Sequence, residues 1–321
     1  GEMQQGLSLR ELSSVLGISP QGGSKVLKSS DAETYMNKKT KMVSPKSIRN
    51  IFEDRGFQFP KKKIMFHAIK GGCGKTTLFV NTLYRFSQLG AKCLGIVVDK
   101  QNDSSRTLGI QDSENILIDL ITGEKSIHEC IQKVDENLYI LPSGFRNARI
   151  ETELAGMNIN PESFYKKLLR EVEDDFDIIA FDMPPDLNKN SYLISLYCDT
   201  VIIPTEATEY STNGTNMTLA SLKEVRENYP NLQKDFYIVW SKYDARARNS
   251  LHFITEFENE YDANIFPVII RNDSTYRNAQ AENKTIFEDS KNKKTPGYED
   301  IDMMAQEILG MRDFFSKEVN V

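Results

Sequence analysis

The chain has 321 residues, room for one large or two unequal domains. At 39% hydrophobic and 27% charged it has the balance of an ordinary globular protein, and no apolar run reaches the roughly 18 residues that a membrane span requires. The net charge of −6 conceals a division: residues 1–63 carry 12 Lys and Arg against 6 Asp and Glu, and the remainder carries 28 against 40, so a basic head precedes an acidic body.

In the head, LSLRELSSVLGIS (7–19) places Leu9, Leu12, Val15 and Leu16 on one helical face, followed by Gly17 as a stop. Ser19 and Pro20 start a second helix that runs to about Lys28. Two short helices joined by a glycine-containing turn make a helix-turn-helix candidate. The run is similar to the start of many bacterial DNA-binding heads. In that arrangement Ser24, Lys25 and Lys28 face the groove or its phosphates. Gly22 and Gly23 weaken the second helix, each by about 1 kcal/mol relative to Ala. Residues 29–48 read as polar and turn-rich. SPKSIRNIFEDRG (44–56) predicts another helix, with Ser44 as cap, Pro45 in its first turn and Gly56 as stop. The head is expected over 1–56 and a basic linker over 57–63. The excess of positive charge suits nucleic acid, and it also suits a solvated lysine-rich linker, since Lys61, Lys62 and Lys63 are adjacent.

The apolar run Ile64–Ile69 predicts the first strand of the body. It is followed by KGGCGKTT (70–77) and by an amphipathic helix over Thr76–Leu89. A strand, a glycine loop and a helix N-terminus in that order form a phosphate cradle: backbone N–H groups close on the anion and the helix end is positive. Lys75 is placed to reach terminal phosphates, and the Thr76 hydroxyl to ligate Mg²⁺. Ile69 stands where the strict pattern has its first glycine, and a second lysine, Lys70, follows it. CLGIVVDKQ (93–101) is a buried strand ending in Asp99 and then Gln101. Short helices are expected over 103–135 and a longer one over Pro161–Glu173. DIIAFDMPPDL (177–187) ends a strand on Asp182, suited to hold Mg²⁺ through water, and Pro184 and Pro185 stiffen the turn after it. DTVIIPTEATEYSTNG (199–214) and DFYIVWSKYDARAR (235–248) supply further strands, with helices over Gly214–Asn228 and Ala247–Tyr261. Near-continuous apolar strands alternating with helices predict a doubly wound, mostly parallel α/β sheet over 64–321, with helices on both faces. Its ligand belongs at the carboxyl ends of the strands.

The pattern K-G-G-x-G-K-[ST]-[ST] resembles the deviant Walker A of the ParA/MinD family of ATPases, and the resemblance continues in order from about Lys63 to the C-terminus. It implies nucleotide contacts from Lys70, Gly71, Gly72, Cys73, Gly74, Lys75, Thr76 and Thr77, with Lys70 reaching the nucleotide of a partner subunit. CLGIVVDKQ is similar to the family's D-x-D-P-Q segment. Asp99 matches the aspartate that positions the attacking water, while Val97 and Lys100 depart from the pattern. DMPP is close to the family's D-x-P-P switch, with Asp182 as the metal carboxylate. PVIIRNDSTYRNAQ (267–280) resembles a segment whose arginines contribute to sequence-independent DNA binding. Arg271 is the best match and Arg277 its companion; the alternative is pairing with local acids such as Glu282.

The resemblance implies a partition ATPase that uses ATP and Mg²⁺, forms a homodimer on ATP and binds DNA non-specifically. A ParB-like centromere-binding protein would drive its hydrolysis, which is weak without that partner. No N-K-x-D guanine motif follows WSKYD, which favours ATP. An ATP-sensing transcriptional autorepressor and a positioning ATPase for a protein cluster or the division site remain open beside this reading. The cysteines Cys73, Cys93, Cys130 and Cys198 lack metal-ligand spacing and fit the reduced thiols of a cytosolic protein. The N-terminal run has no apolar signal core, and the tail GMRDFFSKEVNV is too short and mixed for an amphipathic anchor. A cytoplasmic, nucleoid-associated protein with no membrane partner is therefore expected.

Overall fold

A computed structural model of the chain describes residues 6–68, 74–111, 114–206, 235–242 and 264–318, with isolated positions between 220 and 255. Lys70, Gly71, Gly72 and Cys73 lie outside the described residues, as do most of the helices expected over Gly214–Asn228 and Ala247–Tyr261.

The head begins with β1 (Leu7–Ser8), α1 (Leu9–Leu16) and α2 (Pro20–Ser29). Ser8 and Glu11 form a reciprocal capping box at the start of α1, and Gly17 ends it at φ 69°. Ser19 caps α2, with Pro20 in its first turn. Gly23 lies where the two helices cross, and a Cβ there would stand 2.0 Å from Ser13 Oγ. The glycine that weakens α2 is therefore what lets α1 approach it. The stretch expected to be turn-rich instead holds an antiparallel hairpin, β2 (Thr34–Asn37) and β3 (Thr40–Val43), with β1 on the other edge of β3. Within the hairpin strands only Met42 and Val43 are buried, so the alternation that marks a strand is faint. α3 (Pro45–Asp54) follows as expected, capped by Ser44.

The body starts with β4 (Lys62–Phe66), two residues earlier than the apolar run suggests. Lys62 and Lys63 are thus strand residues rather than linker. Lys63 pairs with Glu173, and Lys61 Nζ donates to the carbonyls of Asp174 and Phe176 at 3.1 and 2.9 Å. Then come α4 (Lys75–Gln88), β5 (Cys93–Val97), α5 (Asp103–Thr107), α6 (Leu117–Thr122), α7 (Ile127–Cys130), β6 (Gln132–Asp135) and β7 (Leu138–Leu141). They are followed by α8 (Ile150–Ala155), α9 (Phe164–Leu168), β8 (Ile178–Asp182), α10 (Lys189–Tyr197) and β9 (Thr200–Thr205). The helix expected over Pro161–Glu173 is therefore only one short segment. β10 (Asp235–Trp240), β11 (Asn264–Ile265), α11 (Ser274–Ala281), α12 (Pro296–Leu309) and α13 (Met311–Glu318) complete the described elements.

The sheet runs β11-β10-β9-β4-β8-β5-β7-β6, and every neighbouring pair is parallel except β6 with β7. Side chains alternate between its faces. Ile64, Phe66, Ile178, Ile202 and Val239 join one hydrophobic cluster with α4 and α12, whereas Met65, Ile179, Phe181, Ile203 and Ile238 join another with α6, α8 and α10. The sheet is therefore covered on both sides. Among the described residues no helix is long and apolar enough to cross a membrane.

The first cluster continues into the head, taking in Leu12, Leu16, Ile48 and Phe52. Polar contacts follow the same boundary. Arg49 Nη1 donates to Asp177 Oδ2 at 2.7 Å and to the Gly90 carbonyl at 2.9 Å. Arg85 of α4 is 2% exposed and meets Glu11 of α1 at 2.7 Å and Asp302 of α12 at 2.8 Å. Its guanidinium lies 4.6 Å from the Phe287 ring centroid, and the Tyr298 hydroxyl donates to the same Glu11 oxygen at 2.7 Å. A buried cation with two carboxylates and two rings is fully partnered, and removing any one partner leaves charge stranded.

Candidate nucleotide site

Three chain segments end at one place because parallel strands carry their carboxyl ends to the same edge. Gly74 takes the left-handed conformation (φ 77°, ψ 16°) that opens α4, and among the described residues no side chain caps this helix. Its first backbone N–H groups are therefore left to an outside acceptor, and the helix dipole favours an anion there. Lys75, Thr76 and Thr77 fill the first turn. Asp182 ends β8 with 1% of its surface exposed and holds the Lys75 ammonium through Oδ1. Asp99 Oδ2 is 3.9 Å from the same ammonium. The Asp99 loop is fastened to β8, since Val98 N and Asp99 N both donate to the Asp182 carbonyl, at 2.9 and 3.2 Å.

These groups open onto a cavity of about 520 Å³. Gly74, Lys75, Thr76, Thr77, Asp99 and Pro185 form one wall. Lys242 and the segment carrying Asn272, Asp273, Tyr276, Arg277 and Gln280 form the other. The volume suits a ligand of nucleotide size. Behind the Lys75 side sits His67, wholly buried just past β4. Burial, and then the charge of Lys75, pull its pKa down to about 4, so its ring is neutral at pH 7.

A family model described as "AAA domain" matches residues 61–237, more than half of the chain. The chain belongs to this family, as a P-loop ATPase of the ParA/MinD group. It is 25% identical over 251 residues to the cell division protein PomZ of Myxococcus xanthus, covering 77% of this chain and 78% of PomZ. It is 26% identical over 224 residues to the sporulation initiation inhibitor protein Soj of Bacillus subtilis, covering 68% and 87%. Among solved structures, the ATP complex of a McdA variant from Cyanothece shares the fold, with a TM-score of 0.68 and 22% identity over 79% of this chain and 98% of McdA. The septum site-determining protein MinD of Pyrococcus horikoshii does likewise, with a TM-score of 0.64 and 20% identity over 79% and 98%.

As a ParA/MinD-group ATPase the chain uses ATP, and the residues present fit ATP together with Mg²⁺. A helix N-terminus with a lysine at its first position lines a cavity of sufficient size, and a buried carboxylate holds that lysine. The structure brings together Gly74, Lys75, Thr76, Thr77, Asp99 and Asp182; Lys70, Gly71, Gly72 and Cys73 lie outside the described residues.

The two arginines read as a pair are placed differently. Arg271 Nη2 and Nε bind Asp300 at 2.9 and 3.0 Å, and Nη2 also reaches Glu299 at 3.2 Å. Its partners are thus acids of α12 rather than Glu282, and its hydrogen bonds to Asp300 hold its pKa above the ordinary guanidinium range. Arg277 is exposed on the wall of the cavity. Lys25 and Lys28 are exposed on α2, well away in sequence from the cavity-lining residues. The sequence reading missed the cavity wall at Asn272, Asp273, Tyr276 and Gln280. It also missed Ser104, whose hydroxyl donates to Asp182 Oδ2 at 2.6 Å. Only the position of Ser104, five residues beyond Asp99, could have flagged it.

Proposed function

We propose that the chain is a partition ATPase that dimerises on ATP, binds DNA without sequence preference and is driven to hydrolysis by a ParB-like centromere-binding protein. The observation that carries this reading is that Lys75 and Asp99 line one cavity while Lys75 is held by the buried Asp182. Lys75 would leave Asp182 for the terminal phosphates and stabilise the charge that develops there. Thr76 and, through water, Asp182 would hold Mg²⁺, whose charge assists phosphoryl transfer when it is bound. Asp99, tethered by its backbone to β8, would orient the attacking water. Lys70 would reach the nucleotide held by a second copy. The head over residues 1–56 would bind DNA through α2, with Lys25 and Lys28 on phosphates, and Arg271 and Arg277 would add contacts in the ATP-bound dimer.

A positioning ATPase for a protein cluster or the division site is the second reading. The matches to PomZ, named for cell division, and to the fold of MinD, named for septum-site determination, favour it. The cytoplasm and the nucleoid are the expected location under either reading. Light scattering with ATP and Mg²⁺ tests the shared core. The wild-type protein should double in mass and Lys70→Ala should stay monomeric while still binding nucleotide. ATP-dependent dimers of Lys70→Ala with unchanged turnover would remove the cross-subunit role.

A further inference from the structure

The two oxygens of Asp182 are held by different elements. Oδ1 takes the ammonium of Lys75 from α4, and Oδ2 accepts the Ser104 hydroxyl at 2.6 Å from the first turn of α5. Ser104 is fully buried and belongs to none of the motifs that mark the chain as a phosphate binder. The bond has the short length of a hydroxyl donating to an ionised carboxylate. Its neighbour Ser105 is equally buried, yet among the described residues the Ser105 hydroxyl has no hydrogen-bond partner. Of these two buried serines it is Ser104 whose hydroxyl reaches Asp182.

Nucleotide binding treats the two oxygens differently. Lys75 would belong on the terminal phosphates, so loading the site would take the ammonium off Oδ1 and leave Asp182 to help hold Mg²⁺ through water. A carboxylate that loses the cation fixing one of its oxygens is free to turn unless a second group holds the other. Ser104 has no reason to leave. A neutral donor is also the suitable partner, because a cation on Oδ2 would compete with the metal for the carboxylate's charge.

We propose that Ser104 is a positioning residue: it fixes Oδ2 of Asp182, so that Oδ1 stays aimed at the metal site when Lys75 departs. The assignment rests on the nucleotide-site reading above. The surrounding loop is built to keep this tie in register. Val98 N and Asp99 N are bonded to the Asp182 carbonyl, so Ser104 adds a side-chain link to two backbone links. Asn102 closes the loop at φ 59°, its N–H donating to the Asp99 carbonyl at 3.2 Å. The Asn102 side-chain oxygen accepts from Ser143 N at 2.9 Å, which anchors the loop beyond the end of β7. The carboxylate for the metal and the aspartate for the water are thus held by one loop, with Ser104 as its side-chain fastening.

The test is the Mg²⁺ dependence of nucleotide binding. Affinity for a fluorescent ADP derivative is measured by anisotropy in EDTA and across a Mg²⁺ series, for the wild type, Ser104→Ala and Ser105→Ala. Binding in EDTA should agree within about twofold across the three. The Mg²⁺ concentration for half-maximal effect should rise about tenfold in Ser104→Ala, the scale seen when an outer-sphere partner of a metal ligand is removed. Ser105→Ala should match the wild type. Each protein is compared with itself in EDTA, so a general loosening of the fold cancels. If Ser104→Ala does not fold, Ser104→Cys, a weaker donor of similar size, should give a smaller shift in the same direction. A Mg²⁺ midpoint in the Ser104 variant within twofold of the wild type, or an equal shift in Ser105→Ala, would overturn the assignment. Wild-type protein that binds nucleotide equally well with and without Mg²⁺ would instead remove the nucleotide-site reading, and this assignment with it.

Discussion

Substituting Glu11→Gln probes how the head is joined to the ATPase. Burial alone would raise the Glu11 pKa. The charge and hydrogen bond of Arg85, the Tyr298 hydroxyl and the charge of Lys293 more than offset that, and hold it at about 2 against an ordinary 4.5. A carboxyl whose pKa is lower in the folded state stabilises the fold above its unfolded value and loses that contribution as pH falls through its folded value. At about 1.4 kcal/mol per pH unit the Glu11 charge contributes about 3 kcal/mol at pH 7. Glutamine keeps an acceptor for Tyr298 but leaves Arg85 with Asp302 as its remaining acidic partner. Urea unfolding of Glu11→Gln at pH 7 should therefore show a loss of about 2–3 kcal/mol. The gap to the wild type should narrow by about 2 kcal/mol at pH 3, where the unfolded carboxyl is already protonated. Trp240, the chain's single tryptophan, is buried in β10 of the body and serves as the reporter. Its transition should move with that of the far-UV signal, because one hydrophobic cluster joins head and body. A gap below about 0.5 kcal/mol at pH 7, a gap independent of pH, or a Trp240 transition untouched by the substitution would each refute the reasoning.

Two further substitutions test the site. Lys75→Ala should abolish ATP binding in calorimetric titrations at moderate concentrations, since it removes the cation meant for the terminal phosphates, and wild-type affinity would displace the phosphate-loop assignment. Arg277→Glu and Arg271→Glu should part company. The first, on the cavity wall, should weaken ATP binding severalfold, while the second should leave ATP binding intact and weaken ATP-dependent binding to a random duplex across a salt series. Equal effects of the two on nucleotide affinity would show that the cavity wall does not distinguish them.

The strand-ending carboxylates and the lysine-threonine pair were legible in the sequence because each sits in a run whose period reveals its element. An apolar strand of five residues ending in Asp182, or a glycine before a helix at Lys75, leaves few alternatives. The helices of the head were legible through the apolar face that stops at Gly17, the Ser19–Pro20 start, and Ser44 with Gly56, whereas the Ser8 cap was not read. The hairpin at Thr34–Val43 was not legible, because its strands bury only Met42 and Val43 and its turn uses Lys38 at φ 55° rather than glycine. Strand β6 fell in a stretch read as short helices, and β7, just beyond it, was not read. Pairing over long separations was beyond reach. Nothing local connects Arg85 to Glu11 and Asp302, Ser104 to Asp182, or Arg271 to Asp300, since each contact is made by the tertiary fold.

The central claim is that ATP, held by Lys75 and Asp182 and hydrolysed with the help of Asp99, switches the protein onto DNA as a dimer. The most direct measurement is the lifetime of the protein on a random duplex, in ATP, ADP or no nucleotide, for the wild type and Asp99→Ala. Binding should require ATP and Mg²⁺ and involve dimers, and Asp99→Ala should stay bound several times longer because hydrolysis is lost while nucleotide contacts remain. DNA binding that is indifferent to the nucleotide, or an Asp99→Ala protein that hydrolyses ATP and leaves DNA at the wild-type rate, would contradict the account.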